Sequence, residues 1–322
     1  MQEKQFIYAV ARIRSHEMKL LDTQFIEQLM AADDVDECLQ LLMNKGWGHE
    51  SSLSPEQILD HEYEKTWKLM EELIDDMSLF NVFLLPNDYH NLKAAIKLVI
   101  SNSSSTGYFT DHCTIDPETM VEAVKTKNFT LLPEHMSAVA EEAYNTVVQT
   151  GNGQLCDVII DKAAMETMYE VSSKQSNEVL QWHAEIKVAA SNIKIAVRGQ
   201  KTGKDLKWIQ NAMAYCDSLD IEALAQAAFF SFEAICEYLR NTDYAEGVDE
   251  LERSLSSFEL WCENWYMRKI KPQKYNQFTI GPLAAYLIAR ENEIKMVRMI
   301  LLGKLNQLPE EAIRERLRIM YV

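Results

Sequence analysis

The sequence predicts an all-α protein built from repeated helical units, and three observations predict it. The first is a recurring segment. "YHNLKAAIKL" from Tyr89, "ASNIKIAVRG" from Ala190 and "RENEIKMVRM" from Arg290 align on Lys93, Lys194 and Lys295, with spacings of 194−93 = 101 and 295−194 = 101. Equal spacing over such lengths marks a structural repeat. The second is the company that proline keeps. Pro55, Pro117, Pro133 and Pro309 are each followed at once by Glu, which suits the first turn of a helix: the missing proline N–H is unpaired there anyway, and the carboxylate meets the positive end of the helix dipole. The third is periodicity. Sustained alternation of apolar and polar residues is absent, whereas apolar residues recur at three-and-four spacing.

Taken in order, "SPEQIL" carries Ser54 as N-cap with Gln57 three residues on, a capping box. "SNSSSTG" at 101–107 reads as a polar loop and "TGNG" at 150–153 as a turn. "LCDVIID" is the nearest strand candidate, but it runs directly into the helical pattern "KAAMETMYEV". From Pro282, the apolar positions Leu283, Ala284, Leu287, Ile288, Ile294, Val297, Ile300 and Leu301 predict a helix with one buried stripe. Glu291, four residues before Lys295, is expected to support it as an exposed ion pair. Two further elements repeat. "LDH" at 59–61, "IDK" at 160–162 and "LER" at 251–253 share an apolar–acid–basic order. "ECL", "EAV", "EAL" and "EAI" start at Glu37, Glu122, Glu222 and Glu311. The order of these elements predicts three units of about 100 residues, at 1–105, 106–208 and 209–322, with the C-terminal helix also packing on the first.

Composition narrows the function. The 322 residues are 47% apolar and 25% charged, with a net charge of −17. Such acidity argues against nucleic acid, which needs a basic surface, and against broad contact with an anionic leaflet. The six cysteines show no CxxC pair or zinc spacing, and free thiols in a reducing compartment are expected. The start shows no signal-peptide pattern, and no uncharged apolar run approaches the roughly 18 residues of a membrane span, so a cytosolic protein is expected.

The search for chemistry returns no catalytic, cofactor or metal site. Glu291 and Glu293 point about 200° apart on a helix and read as surface charge. Asp33, Asp34 and Glu37 in "ADDVDE" loosely match an aspartate-rich magnesium motif of all-α isoprenoid-type enzymes. This is the alternative reading, alongside a generic helical scaffold. No second such motif exists, and an acidic first helical turn explains the stretch. "RGQKTGKD" imitates a phosphate loop but has three residues rather than four between Gly199 and Gly203, and Asp205 in place of Ser or Thr. Two basic islands stand out in an acidic chain. One holds Lys194, Arg198, Lys201, Lys204 and Lys207, and the other Arg268, Lys269, Lys271 and Lys274. They are the candidate partner-docking residues.

"YAVARIRSHEMKLL" near the N-terminus and "IGPLAAYLIARENEIKMVRMILLGKLNQLPEEAIRERL" near the C-terminus resemble the C subunit of V/A-type rotary ATPases, the counterpart of the d subunit of eukaryotic V-ATPases. The resemblance spans the chain. It departs at Met296, where the family pattern leads to asparagine, a change compatible with a surface position. It implies a funnel of three pseudo-threefold related helical domains that does no chemistry and needs no cofactor, small-molecule substrate or nucleic acid. It also implies one copy per complex at the cytoplasmic face of the membrane, coupling the central-stalk subunits to the membrane rotor ring.

Overall fold

The computed structural model describes residues 6–48, 54–101 and 109–322; apart from Ser101, the expected loop at 101–107 lies outside them. The described residues form α-helices joined by turns and short 3-10 segments. Two compact units are distinguished, one of Met1–Met77 with Ser256–Val322 and the other of Ser78–Leu255. The first begins with α1 (Ile7–Glu17), α2 (Thr23–Ala31), α3 (Val35–Asn44) and α4 (Pro55–Leu73). The second holds α5 (Asn81–Ile100), α6 (Pro117–Thr126), α7 (Glu134–Thr150), α8 (Gly153–Ser173), α9 (Glu178–Lys201), α10 (Leu206–Ala212), α11 (Ile221–Phe230), α12 (Phe232–Leu239) and α13 (Val248–Arg253). The chain then returns to the first unit through α14 (Leu255–Ile270), α15 (Gly281–Leu305) and α16 (Glu310–Arg314).

Local chemistry sets these boundaries. The capping box at Ser54 forms as expected, with the Gln57 N–H donating to Ser54 Oγ at 3.3 Å and the Ser54 N–H to Gln57 Oε1 at 2.8 Å. Pro117 opens α6, while Pro133 and Pro309 stand at the N-cap positions of α7 and α16. Pro86 is different in kind, lying inside α5. "LCDVIID" is helical, within α8. In the first unit Ile294, Val297, Ile300 and Leu301 of α15 join Phe25, Leu29, Leu42 and Ile58 in one core. In the second, Leu92 and Ile96 of α5 meet Met120, Val124, Met136 and Ile160. Each such side chain stabilises the fold by about 1.5–3 kcal/mol.

Three expectations for α15 need correction. Its first half is not a one-stripe helix, because every residue from Gly281 to Arg290 is buried. Met296 is fully buried, and its Sδ accepts the Arg318 N–H at 3.0 Å, so the position is not on the surface. Glu293 is not surface charge either, being only 2% exposed. The Lys295 ammonium pairs with Glu263 on α14, and Glu291 lies at 3.5 Å from the Tyr63 hydroxyl.

Glu293 belongs to a set of buried polar anchors at one register. Asn91, Asn192 and Glu293 each stand two residues before an aligned lysine, and each is buried. Asn91 Nδ2 donates to the Thr110 carbonyl at 3.0 Å, and its Oδ1 accepts the Thr110 N–H at 2.9 Å. Asn192 does the same with Ala214, at 2.7 and 3.0 Å. One turn or two upstream on the same helices, a carboxylate grips the next part of each loop. Asp88 accepts from the Thr114 N–H at 2.7 Å and the Ser218 N–H donates to Glu185 at 2.9 Å. On α15 the charges are arranged differently. Glu293 accepts the Leu21 N–H with one oxygen and Arg290 Nη1 at 2.6 Å with the other. Arg290 Nη2 reaches Glu62 of α4 at 2.6 Å. A carboxylate cannot donate, so Glu293 supports only the N–H half of the clasp that asparagine makes in full.

Burial pushes the Glu293 carboxyl up to about 7, against the pull of Arg290 and the Leu21 N–H. Its unfolded value is near 4.5. Between these values the folded state holds the extra proton, so stability falls as pH rises through that window. Glu293→Gln carries no such proton. Thermal melts at about pH 5 and about pH 8 should show a smaller difference for this variant than for wild type, because the linkage is gone. Glu293→Ala leaves Arg290 short of a partner, and urea unfolding should show a loss of about 3–5 kcal/mol. Asn192→Ala strands both polar groups of Ala214 and should cost about 2–4 kcal/mol by the same measurement.

Candidate functional site

The first basic island forms one corner of the second unit. Lys194, Arg198 and Lys201 recur at four-and-three spacing along one face of α9, the last two exposed. The turn into α10 is shaped by the two glycines that imitate a phosphate loop. Gly203 takes φ +63°, and the Lys204 N–H closes back on the Gly199 carbonyl at 3.0 Å, a Schellman-type end. A Cβ on Gly199 would stand 2.9 Å from Ile209 of α10, so glycine permits the helices to touch. Asp205 accepts the Trp208 N–H at 2.7 Å as N-cap of α10. Those residues are therefore helix punctuation.

Aromatic rings lie among the cations. Lys201 Nζ stands 5.9 Å from the centroid of Phe232, and Lys204 Nζ 4.9 Å from that of Trp208. Lys207 is exposed on α10. The helix end just before Phe232 carries Phe229 and Phe230, 61% and 85% exposed. Composition and charge patterning missed these phenylalanines. The usable signal is positional: Leu224, Ala225 and Ala228 form the buried stripe of α11, and Phe229 and Phe230 fall off it.

The second island lies in the first unit, at the end of α14 and the 3-10 turn that follows. Arg268 is exposed, while Lys269 and Lys271 are half-buried. Lys269 Nζ lies 5.2 Å over Trp265 and Lys274 Nζ 4.8 Å over Tyr321. Burial and the Lys271 charge lower the Lys274 pKa. Arg14 of α1 fastens this turn by donating to the carbonyls of Gln273 and Asn276 at 2.7 and 2.6 Å. Tyr275 and Phe278 project into solvent beside it. Each island is thus a basic helix end with aromatic rings among its charges. The structure brings the sequence-predicted residues together within each island.

Asp33, Asp34 and Glu37 form a helix cap. Asp34 Oδ1 accepts the Glu37 N–H at 2.9 Å, and Glu37 Oε2 accepts the Asp33 N–H at 2.6 Å. Among the described residues, no group of three or more His, Cys, Asp or Glu side chains is placed to hold a metal ion, and no helix is long and apolar enough to cross a membrane.

These features define a protein whose described residues are all-α, with two basic islands placed at helix ends. A profile of the ATP synthase (C/AC39) subunit family matches residues 9–316, and the chain belongs to that family. It is similar to the C subunit of the V-type sodium ATPase of Enterococcus hirae, with 22% identity over 324 residues, 96% of this chain and 97% of that protein. It is also similar to the C subunit of the A-type ATP synthase of Methanocaldococcus jannaschii, with 21% identity over 342 residues, 97% of this chain and 86% of that protein.

Since Asp34 works as a cap, Asp34→Ala should cost about 0.5–2 kcal/mol in urea unfolding. Asp33→Asn with Glu37→Gln should cost less. Calorimetric titration with Mg²⁺ should give the same trace for the triple variant (Asp33→Asn, Asp34→Asn, Glu37→Gln) as for wild type.

Proposed function

We propose that the protein is the non-catalytic central-stalk adaptor of a V/A-type rotary ATPase, present in one copy per complex at the cytoplasmic face of the membrane. It couples the stalk of the soluble motor to the membrane rotor ring, and its two basic–aromatic corners are the docking surfaces. The observation that carries this reading is the family match over residues 9–316, nearly the whole length.

The adaptor reading includes three related helical repeats, 1–105, 106–208 and 209–322, arranged with pseudo-threefold symmetry. Acids at matching positions support it, although the base that meets them in the first unit is Arg298, while Lys295, the register mate of Lys93, pairs with Glu263. Lys97 pairs with Asp157 at 2.7 Å, and Arg298 with Glu56 at 3.2 Å; the acids are 157−56 = 101 residues apart. Lys93 pairs with Asp161 at 2.5 Å, and Arg298 also reaches Asp60, 161−60 = 101 residues earlier, at 3.7 Å. The helix-end corner recurs too. Gly303 meets Ile313 as Gly199 meets Ile209, Gln307 takes the left-handed conformation of Gly203, and the Leu308 N–H closes on the Gly303 carbonyl at 2.9 Å.

The test is association, measured separately with the stalk subunits and with the detergent-solubilised ring. Charge reversal at Arg198, Lys201 and Lys204, or at Arg268, Lys269 and Lys271, should weaken binding to one partner while leaving the thermal melt unchanged. The gap from wild type should narrow at high salt, since exposed charges are screened beyond about 8–10 Å at physiological ionic strength. Unchanged binding of both variants to both partners removes the corners from the interface. Failure of the wild type to bind either partner overturns the adaptor reading itself.

A further inference from the structure

A cavity of about 100 Å³ opens in the first unit, between the ends of α1 and α3 and the flanks of α4 and α15. Its charged lining is one-sided. Lys19, Lys45, Lys65 and Arg290 face it with His16, against the single carboxylate of Glu62. That carboxylate is already engaged, accepting from Arg290 Nη2 at 2.6 Å and from Lys65 Nζ at 3.2 Å. Four residues with permanent cationic side chains thus line one small space in a chain whose net charge is −17, with Lys45 Nζ standing 5.0 Å from the Phe25 ring centroid.

The back of the cavity is fixed and its rim adaptable. Arg290 is buried, lies 5.0 Å over the buried Trp47 ring, and donates from Nε to Thr66 Oγ1 at 3.3 Å. Lys19, Lys45 and Lys65 are exposed, long enough to swing onto a guest. Helix dipoles explain Lys19 and Lys45 singly, because each follows a helix C-terminus. They do not explain why those two meet Lys65 and Arg290 at one opening, where like charges repel. The His16 imidazole, its ring centroid 6.3 Å from that of Tyr286, registers the field. Its pKa is lowered by burial first, and then by Lys19, Arg12, Lys65 and Arg290.

We propose that this cavity binds a tetrahedral oxyanion of the phosphate class, held by Lys19, Lys45 and Lys65 at the rim with Arg290 behind them. A water needs roughly 10–15 Å³ of such a cavity, so there is room for one phosphate group and accompanying water. Lysine ammonium groups contact such an oxyanion as point charges, without the planar fork that arginine needs. The phosphate is either free or the terminal group of a nucleotide whose remainder stays in solvent. This site is independent of the adaptor reading.

The test uses the full chain with ¹⁵N-labelled histidine, His16→Gln serving to assign the resonance. Inorganic phosphate is titrated at fixed ionic strength set with sodium chloride, and ADP in a parallel series. Phosphate should give a saturable shift of the His16 signal and raise its pKa, because the anion stabilises imidazolium. In Lys19→Gln/Lys45→Gln the affinity should fall on the order of tenfold or more, as expected for loss of charge-assisted contacts, and Lys19→Arg/Lys45→Arg should restore it. Tighter binding of ADP assigns the site to a nucleotide phosphate; equal or weaker binding assigns it to free phosphate. Absence of a saturable His16 shift in the wild type, or equal phosphate affinity in the glutamine variant, overturns the proposal.

Discussion

The first unit depends on one buried ionic arrangement, in which Arg290 is shared between Glu293 on its own helix and Glu62 on α4. Both carboxylates and the guanidinium are almost wholly removed from water, where an unpaired charge is costly. The Leu21 N–H fixes the remaining oxygen of Glu293, so the segment that starts α2 is fastened by the same group. Elements from both ends of the chain are therefore held by one buried polar cluster of Arg290, Glu293 and Glu62. Apolar residues of equal volume could be as stabilising. What the ions add is directional: one geometry satisfies them, so the N-terminal helices have one register on α15.

The second unit achieves the same registration with asparagines backed by carboxylates. Asn91 and Asn192 each supply both a donor and an acceptor to a single residue of the following loop, and Asp88 and Glu185 hold the loop again a few residues later. The loop then enters a helix capped by aspartate, Asp116 for α6 and Asp220 for α11; Asp22 caps α2 in the first unit. Fixing a loop at two points before the cap sets where the next helix starts. The lysine register advances by 101 residues, whereas the glycine corner advances by 303−199 = 104. The difference of three residues means that α15 runs nearly one extra turn between its anchor and its corner.

Much of the helical order was legible in the sequence because it is written in local chemistry: the Ser54 box, the Pro–Glu starts and the three-and-four spacing act within a few residues. The repeated lysine register was legible for the same reason, since it needs only counting. What escaped was the burial of charge. Glu293 beside Arg290 looks like ordinary surface charge, because nothing within one turn shows that Glu62 arrives from 293−62 = 231 residues earlier in the chain. Met296 was misplaced for a related cause: the C-terminal segment that covers it, through Arg318, carries no helical pattern from which its path could be inferred. The basic islands were visible as composition. The aromatic rings among them were not, because an exposed phenylalanine and a core phenylalanine are the same letter until the buried stripe of its helix is known.

That last distinction bears on how the corners work. Lys93, within α5, and Lys97, in its last turn, face carboxylates at 2.5 and 2.7 Å, and their charge is spent within the protein. Lys201, Lys204 and Lys274 lie over aromatic rings. A ring attracts a cation through its quadrupole but carries no net charge to cancel it, so the ammonium group is oriented while its field still extends outward. In a protein of net charge −17, this preserves local positive potential where an acidic partner could sense it. Exposed rings such as Phe230 and Tyr275 add apolar area that a partner can remove from water. Charge then governs approach and register, and ring burial governs how long the contact lasts. In each corner the cations and the aromatic rings thus lie side by side, so one surface offers both charge and apolar area.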